Sequence, residues 1–183
     1  MFSPKVLDRA NVLEFRIDIE QMKGFLNGPG QLRPINKCSG CAADFISLSS
    51  AEFDDTLTEE MKKTLISMFE TLSKIQKEFG YRTALEMSRY INLCKQLTDM
   101  NDNEAIDSAI VQKLLPKIHG SRKKITPILT ALWKLCYQGE PAEIESLDVM
   151  PIISTFKYPL TAEKIWRMFQ IAQDNGFTSF AEA

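Results

Sequence analysis

Two hydrophobic rhythms divide the chain. In Val12-Leu13-Glu14-Phe15-Arg16-Ile17-Asp18-Ile19 apolar and polar residues alternate, which sets Leu13, Phe15, Ile17 and Ile19 on one side. That period predicts a strand with one buried face. Ahead of it, Ser3 and Pro4 read as the N-cap and first position of a short helix. An isolated strand has neither ladder partners nor cover for its apolar face. No comparable alternation follows, so the strand is expected to belong to a sheet whose other members lie upstream.

Residues 20–55 hold Gly24, Gly28, Pro29, Gly30, Pro34 and Gly40 and keep no period. This is the composition of a long connection, with a short helical or extended piece around Phe45 to Leu48. The second rhythm starts at Thr58, an N-cap followed by Glu59 and Glu60. Met61, Leu65, Met68, Phe69, Leu72, Ile75 and Phe79 then recur at helical spacing, and Gly80 is placed to stop that helix. A second helix is predicted over 82–97, with Leu85, Ile91 and Cys94 inward, and a third over 103–115, with Ile106, Ala109, Ile110 and Leu114 inward. Pro116 ends or bends the third. A fourth over 121–137 turns Ile125, Ile128, Leu129, Leu132, Leu135 and Cys136 inward and closes at Gly139. After a proline-punctuated loop, a last helix starts at Thr161, flanked by the staple pair Leu160 and Ile165, and ends at Gly176. Trp133 and Trp166 read as core. The expected fold is mainly α: a helical bundle over 56–183, a connecting segment over 20–55, and over 1–19 the remnant helix and strand of an incomplete α/β core.

Composition narrows the function classes. A chain of 183 residues with 44% hydrophobic content can bury a sizeable core. With net charge −2 it has no global basic face to release counterions, so any nucleic-acid contact has to be local. Its longest apolar runs fall short of the ~20 residues of a membrane helix, and the N-terminus has no export-type apolar stretch. No membrane partner is therefore expected, and a cytoplasmic location is. The four cysteines then read as reduced thiols, with Cys94 and Cys136 as small hydrophobes on helix faces. Cys38 and Cys41 have C-x-x-C spacing, half of a zinc or redox site. A structural zinc wants four ligands, so no metal is assigned.

Several runs match a known pattern. Phe2-Ser3-Pro4-Lys5-Val6-Leu7-Asp8-Arg9-Ala10-Asn11-Val12-Leu13-Glu14-Phe15 resembles the segment just after the sensor-1 strand, running into the final core strand, of McrB-like AAA+ ATPases. These are the nucleotide-driven subunits of modified-cytosine restriction systems. Phe79-Gly80-Tyr81-Arg82-Thr83 is similar to their sensor-2 Gly-x-Arg at the start of a lid helix. Leu115-Pro116-Lys117-Ile118-His119-Gly120-Ser121-Arg122-Lys123-Lys124 and Tyr158-Pro159-Leu160-Thr161-Ala162-Glu163-Lys164-Ile165 resemble the end of the same subfamily. The resemblance covers most of the chain outside 20–55 and 140–157. It implies the helical lid and C-terminal part of a ring-forming NTPase of identical subunits. In the intact protein it implies ATP or GTP with magnesium, a partner nuclease, and DNA translocation or cleavage. The phosphate-cradling Gly-x-x-x-x-Gly-Lys-Ser/Thr loop of that family does not occur in these residues. It is expected upstream, and the chain alone is expected neither to hydrolyse nucleotide nor to hold it tightly.

The resemblance gives Arg9 the catalytic role of an arginine finger reaching the next subunit's nucleotide. A guanidinium fork suits the charge that spreads over a transferring phosphoryl group. The alternative is a local pair with Asp8. Arg82 takes the nucleotide-binding role of sensor 2, at a helix N-terminus that already favours an anion. Its alternative is an ion pair with Glu78 or Glu86 at helical reach. The residues alone point to one further site. Lys117, His119, Arg122, Lys123 and Lys124 form the densest basic cluster, and the last three fall in a helix's first turn, where the dipole disfavours cations. That placement makes them a candidate anion site, against the alternative of a solvated face, and His119 reads as structural. Two other function classes stay open: a non-enzymatic helical module that docks a nuclease or caps a ring, and a small zinc-dependent nucleic-acid adaptor built on Cys38 and Cys41.

Overall fold

A computed structural model describes Val6, residues 9–28, Ala42, Ala43, Ile46, Ser47 and residues 56–183. The described chain is mainly helical. It divides into two compact units, Met1–Val12 with Asp54–Ala183, and Leu13–Phe53.

In the Leu13–Phe53 unit the expected strand is not formed. Residues 13–18 carry no regular secondary structure, and Leu13, Phe15 and Ile17, the intended buried face, are exposed, Phe15 at 90%. Alternation becomes a strand only when a neighbour accepts its ladder bonds and covers one face. The two three-residue strands among the described residues pair with each other instead. Helix α1 (Ile19–Asn27) follows inside the stretch expected to be loop. A capping box starts it: Gln21 N donates to Asp18 Oδ1 at 2.8 Å and Asp18 N donates to Gln21 Oε1 at 3.0 Å. Its apolar side chains Ile19, Met22, Phe25 and Leu26 are exposed. Ala42, Ala43, Ile46 and Ser47 are also helical.

The larger unit is the helical body. Near its start, Val6 is helical and its carbonyl accepts from Arg9 N and Ala10 N, both at 3.0 Å. Val12 N then donates to Gln112 O at 3.1 Å, which ties this segment to the body. Ser3 and Pro4 lie outside the described residues.

Helix α2 (Glu59–Ser73) begins as its sequence dictates, with Thr58 Oγ1 accepting from Met61 N at 3.3 Å. Met61, Leu65, Met68 and Leu72 form its buried stripe. The helix ends earlier than its hydrophobic period, which runs on to Phe79. Lys77 N donates to Leu72 O and Gln76 N to Ser73 O, both at 3.1 Å, with Gln76 at φ 57° in the left-handed position that glycine usually fills. Phe79 still reaches the core, edge-on to Phe69 at 5.5 Å. Gly80 becomes the N-cap of α3 (Tyr81–Leu97) rather than the stop of α2. The inward row of α3 is Thr83, Met87, Ile91 and Cys94. Leu85, expected inward, lies 43% exposed because that row runs along a neighbouring face.

Helix α4 (Asp102–Lys113) starts with an Asn101–Glu104 capping box and buries Ile106, Ala109 and Ile110, with Leu114 following. Pro116 then turns the chain through a 3₁₀ turn, Leu115–Lys117. Strand β1 (His119–Ser121) leads directly into α5 (Arg122–Leu135), which buries Ile125, Ile128, Leu129, Leu132 and Trp133. Cys136 is buried just beyond it, and Leu135 is half-buried. Trp133 packs against Tyr137, Phe156 and Trp166 with ring centres 5.5, 5.0 and 5.9 Å away. Its Nε1 donates to Ala142 O at 2.9 Å, which fastens the proline-rich loop to the core.

Helix α6 (Pro159–Asn175) begins two residues before Thr161 and stops at Gly176, φ 73°, as its sequence predicts. Strand β2 (Phe177–Ser179) returns antiparallel to β1, with Gly120 opposite Thr178. Helix α3 packs on α4, α4 on α6, α5 on α6, and α2 on α5.

The start of α6 has no side-chain cap of its own. Asp107 on α4 supplies it from across the core: its carboxylate accepts from Leu160 N at 2.7 Å and Thr161 N at 2.8 Å. Burial pushes the Asp107 carboxyl up, against the hydrogen bonds from Thr161 and Leu160 that pull it down. Asp107→Ala should lower stability by about 1–3 kcal/mol in urea denaturation, because the buried Thr161 amide and the part-buried Leu160 amide lose their acceptor. A raised folded pKa means that this group's contribution declines as pH rises from the ordinary carboxylate range through the folded value. Asp107→Asn should flatten that part of the stability–pH curve.

Candidate functional site

Chemistry-bearing side chains gather at two places in the helical body. The first is the N-terminal end of α3. Gly80 offers no side chain to its amides, and Arg82 stands in the first turn, 59% exposed. Arg82 Nε donates to Glu86 Oε1 at 2.8 Å, one turn on. The other Glu86 oxygen accepts from Lys113 Nζ, whose side chain is only 8% exposed. Lys117 Nζ donates to Thr83 Oγ1 at 3.3 Å beside them. One carboxylate thus orients Arg82 from behind while Lys113 anchors it from the core. Burial alone would raise the Glu86 carboxyl, but the hydrogen bonds from Lys113 and Arg82 hold it below the ordinary range. The ion pair that stands as the alternative to a sensor role for Arg82 is formed with Glu86.

Arg9 is exposed, at the turn that Val6 closes. It makes neither a hydrogen bond nor an ion pair with the Arg82–Glu86–Lys113 row.

The second place is a cleft of about 560 Å³ between the end of α2 and the β1–α5 junction. It is lined by Lys74, Lys77, His119, Ser121 and Lys124 with Ile75, Gln76, Gly120 and Ile125. The structure divides the basic cluster that sequence puts together. His119 and Lys124 face the cleft, whereas Lys117 turns to Thr83 on α3. Arg122 is exposed beside α6, with its guanidinium 3.5 Å from Gln173 O and its amide donating to Gly176 O at 2.8 Å. Lys123 is exposed on the first turn of α5. Lys74 and Lys77 were not foreseen; they arrive because α2 stops at Ser73 and the chain turns there. The His119 imidazole is held below its ordinary pKa, first by burial and then by the nearby Lys77 ammonium, against a backbone hydrogen bond involving Lys117. Near neutrality His119 is therefore uncharged.

Next to Arg82 lies an apolar groove of about 620 Å³ between α2 and α3, lined by Leu65, Ile66, Phe69, Phe79, Tyr81 and Ala84 with Glu78 and Gly80. Tyr81 is 98% exposed. Among the described residues no group of three or more His, Cys, Asp or Glu side chains could hold a metal ion. Cys38 and Cys41 lie outside the described residues. Cys94 and Cys136 are free and buried, and burial pushes the Cys136 thiol well up. No helix among the described residues is long and apolar enough to cross a membrane.

Residues 31–177 match the model of a domain family of unknown function, DUF8727. The chain belongs to that family. The matched span takes in α2 to α6 with both sites, and Arg9 falls before it. No curated protein and no solved structure matches the chain.

Glu86→Gln tests the first site's architecture. It leaves Lys113 buried without its counter-charge and should cost about 1–3 kcal/mol by chemical denaturation near neutral pH. A depressed carboxyl contributes stability that is present above the unfolded pKa and lost as pH falls through the folded one. The native protein should therefore lose this increment in acid, and the Gln variant should show no such step.

Proposed function

We propose that this chain is the helical lid and C-terminal part of a ring-forming, nucleotide-driven ATPase of the McrB-like AAA+ type. The carrying observation is the arrangement of Arg82, in the first turn of a helix without a side-chain cap and braced by Glu86 and Lys113. A guanidinium at a helix N-terminus suits a γ-phosphate sensor, because its charge and the helix dipole favour an anion at the same end. Exposed Arg9 acts across the subunit boundary as the finger, its fork matched to the charge of the transferring phosphoryl group. ATP or GTP with magnesium is held by a phosphate loop outside these residues. The ring of identical subunits drives DNA translocation or cleavage with a partner nuclease in the cytoplasm.

The apolar α2–α3 groove favours a second reading, a non-enzymatic helical module that uses this groove to hold a protein partner. The two separate on turnover. Mixed with a matching ATPase core that carries the phosphate loop, the chain should support hydrolysis. Arg9→Ala should lower kcat about a hundredfold or more, and Arg82→Ala should lower it too. Equal turnover for native chain and both variants would leave the binding module as the better account.

A further inference from the structure

The cleft between the end of α2 and the start of α5 has an unbalanced charge. Lys74 and Lys77 enter from one segment and Lys124 from another, far along the chain, and among the described residues no acidic side chain lines the space they share. None of these three ammonium groups has an ion-pair partner among the described residues, in contrast to Lys62, Lys95 and Lys134, which pair with Glu59, Asp102 and Glu143. Cations of like sign brought to one concavity repel one another and oppose the positive end of α5. An anion bound among them removes both penalties. Such breaches of local charge rules concentrate at functional positions.

The rest of the lining specifies the anion. Ser121, the N-cap of α5, makes no capping hydrogen bond, so its hydroxyl can donate into the cleft. His119 is kept neutral and contributes a hydrogen-bonding edge rather than charge. Among the described residues no aromatic ring lines the cleft other than that imidazole, so there is little for a nucleobase to stack on. Lysines are compact point charges that suit single phosphates, whereas base reading and bidentate capture favour arginine. Lys123 and Arg122 stand exposed on the same first turn of α5, which extends the positive surface past the cleft. A ligand longer than the cleft, with evenly spaced charge and no demand for base contacts, fits this arrangement.

We propose that the cleft binds phosphate groups of a nucleic-acid backbone, with Lys74, Lys77 and Lys124 as its cationic contacts and Ser121 as a hydroxyl donor. The inference stands on the charge layout alone and does not depend on the ATPase reading. It gives the chain a sequence-independent grip, in keeping with backbone contacts that position a protein without reading bases.

The test is fluorescence anisotropy of the full chain with a labelled mixed-sequence DNA duplex at low and moderate salt. The triple variant Lys74→Ala, Lys77→Ala, Lys124→Ala should bind at least tenfold more weakly at low salt. Its log affinity against log salt should be shallower by about 2–3, as expected for three lost phosphate contacts. The charge-matched control Lys62→Ala, Lys95→Ala, Lys134→Ala should bind like the native chain. The single variant Lys124→Glu, on an exposed helix position, should show the same direction of change with native circular dichroism. Absence of duplex binding by the native chain, or equal binding by the triple variant and the native chain, would overturn the proposal. Saturable binding of pyrophosphate without binding of duplex would overturn it in favour of a small phosphate ligand. Displacement of DNA by polyglutamate as effectively as by unlabelled duplex would overturn it in favour of an acidic protein.

Discussion

The carboxylate of Asp107 meets the first amides of α6 inside the core, at 2.7 and 2.8 Å, and so fixes where the last helix begins. Much of the body's C-terminal half follows from that placement. With α6 held on α4, its inner face of Ile165, Met168, Phe169 and Ala172 packs in the core, and Gly176 turns the chain into β2. Strand β2 pairs with β1, and Gly176 O accepts the first amide of α5. The entry of α5, and with it Ser121 and Lys124 at the cleft, is thereby set by a hydrogen-bonding group on the preceding helix, acting through α6. A buried charge of this kind is tolerated because its oxygens find donors.

The same logic of one carboxylate serving two partners recurs elsewhere in the body. Glu86 joins an exposed arginine to a nearly buried lysine, which turns a mobile surface guanidinium into an oriented one. Ion pairs at the surface contribute little to stability. Here the value of the pair is direction, since Glu86, one turn further along α3, fixes where the Arg82 guanidinium lies. The apolar groove beside it and the basic cleft beyond the end of α2 give the body three chemically distinct surfaces.

Much of this fold is legible in the sequence, and the exceptions have physical causes. Helices α2 to α6 follow the apolar period, and Thr58 and Gly176 act as their residue types predict. The misreadings fall where local pattern competes with tertiary context. Leu13, Phe15 and Ile17 alternate like a strand, but alternation supplies no ladder partner. Gly80 looked like a stop because the apolar period runs past the helix, whereas the chain leaves α2 at Gln76, a residue with no turn signature. Helix α1 hid among glycines, and its Asp18–Gln21 box was the available signal. At the sites, helical spacing allows Arg82 to pair with Glu78 or Glu86, and the pair with Glu86 forms, whereas a sensor role for Arg82 rests on the resemblance. Lys74 and Lys77 were not readable from spacing, because their meeting with Lys124 depends on how α2 ends and where β1 lies. The cap from Asp107 was invisible for the same reason: nothing local links residue 107 to residue 160.

In the proposed function, the N-terminal end of α3 faces a nucleotide phosphate. Amide hydrogen exchange across residues 81–84 tests it most directly, with the chain combined with a matching ATPase core, with and without a non-hydrolysable nucleoside triphosphate. The claim predicts slowed exchange in that first turn only when core and nucleotide are both present. Exchange there that is indifferent to nucleotide, while the core itself is protected by it, would contradict the claim.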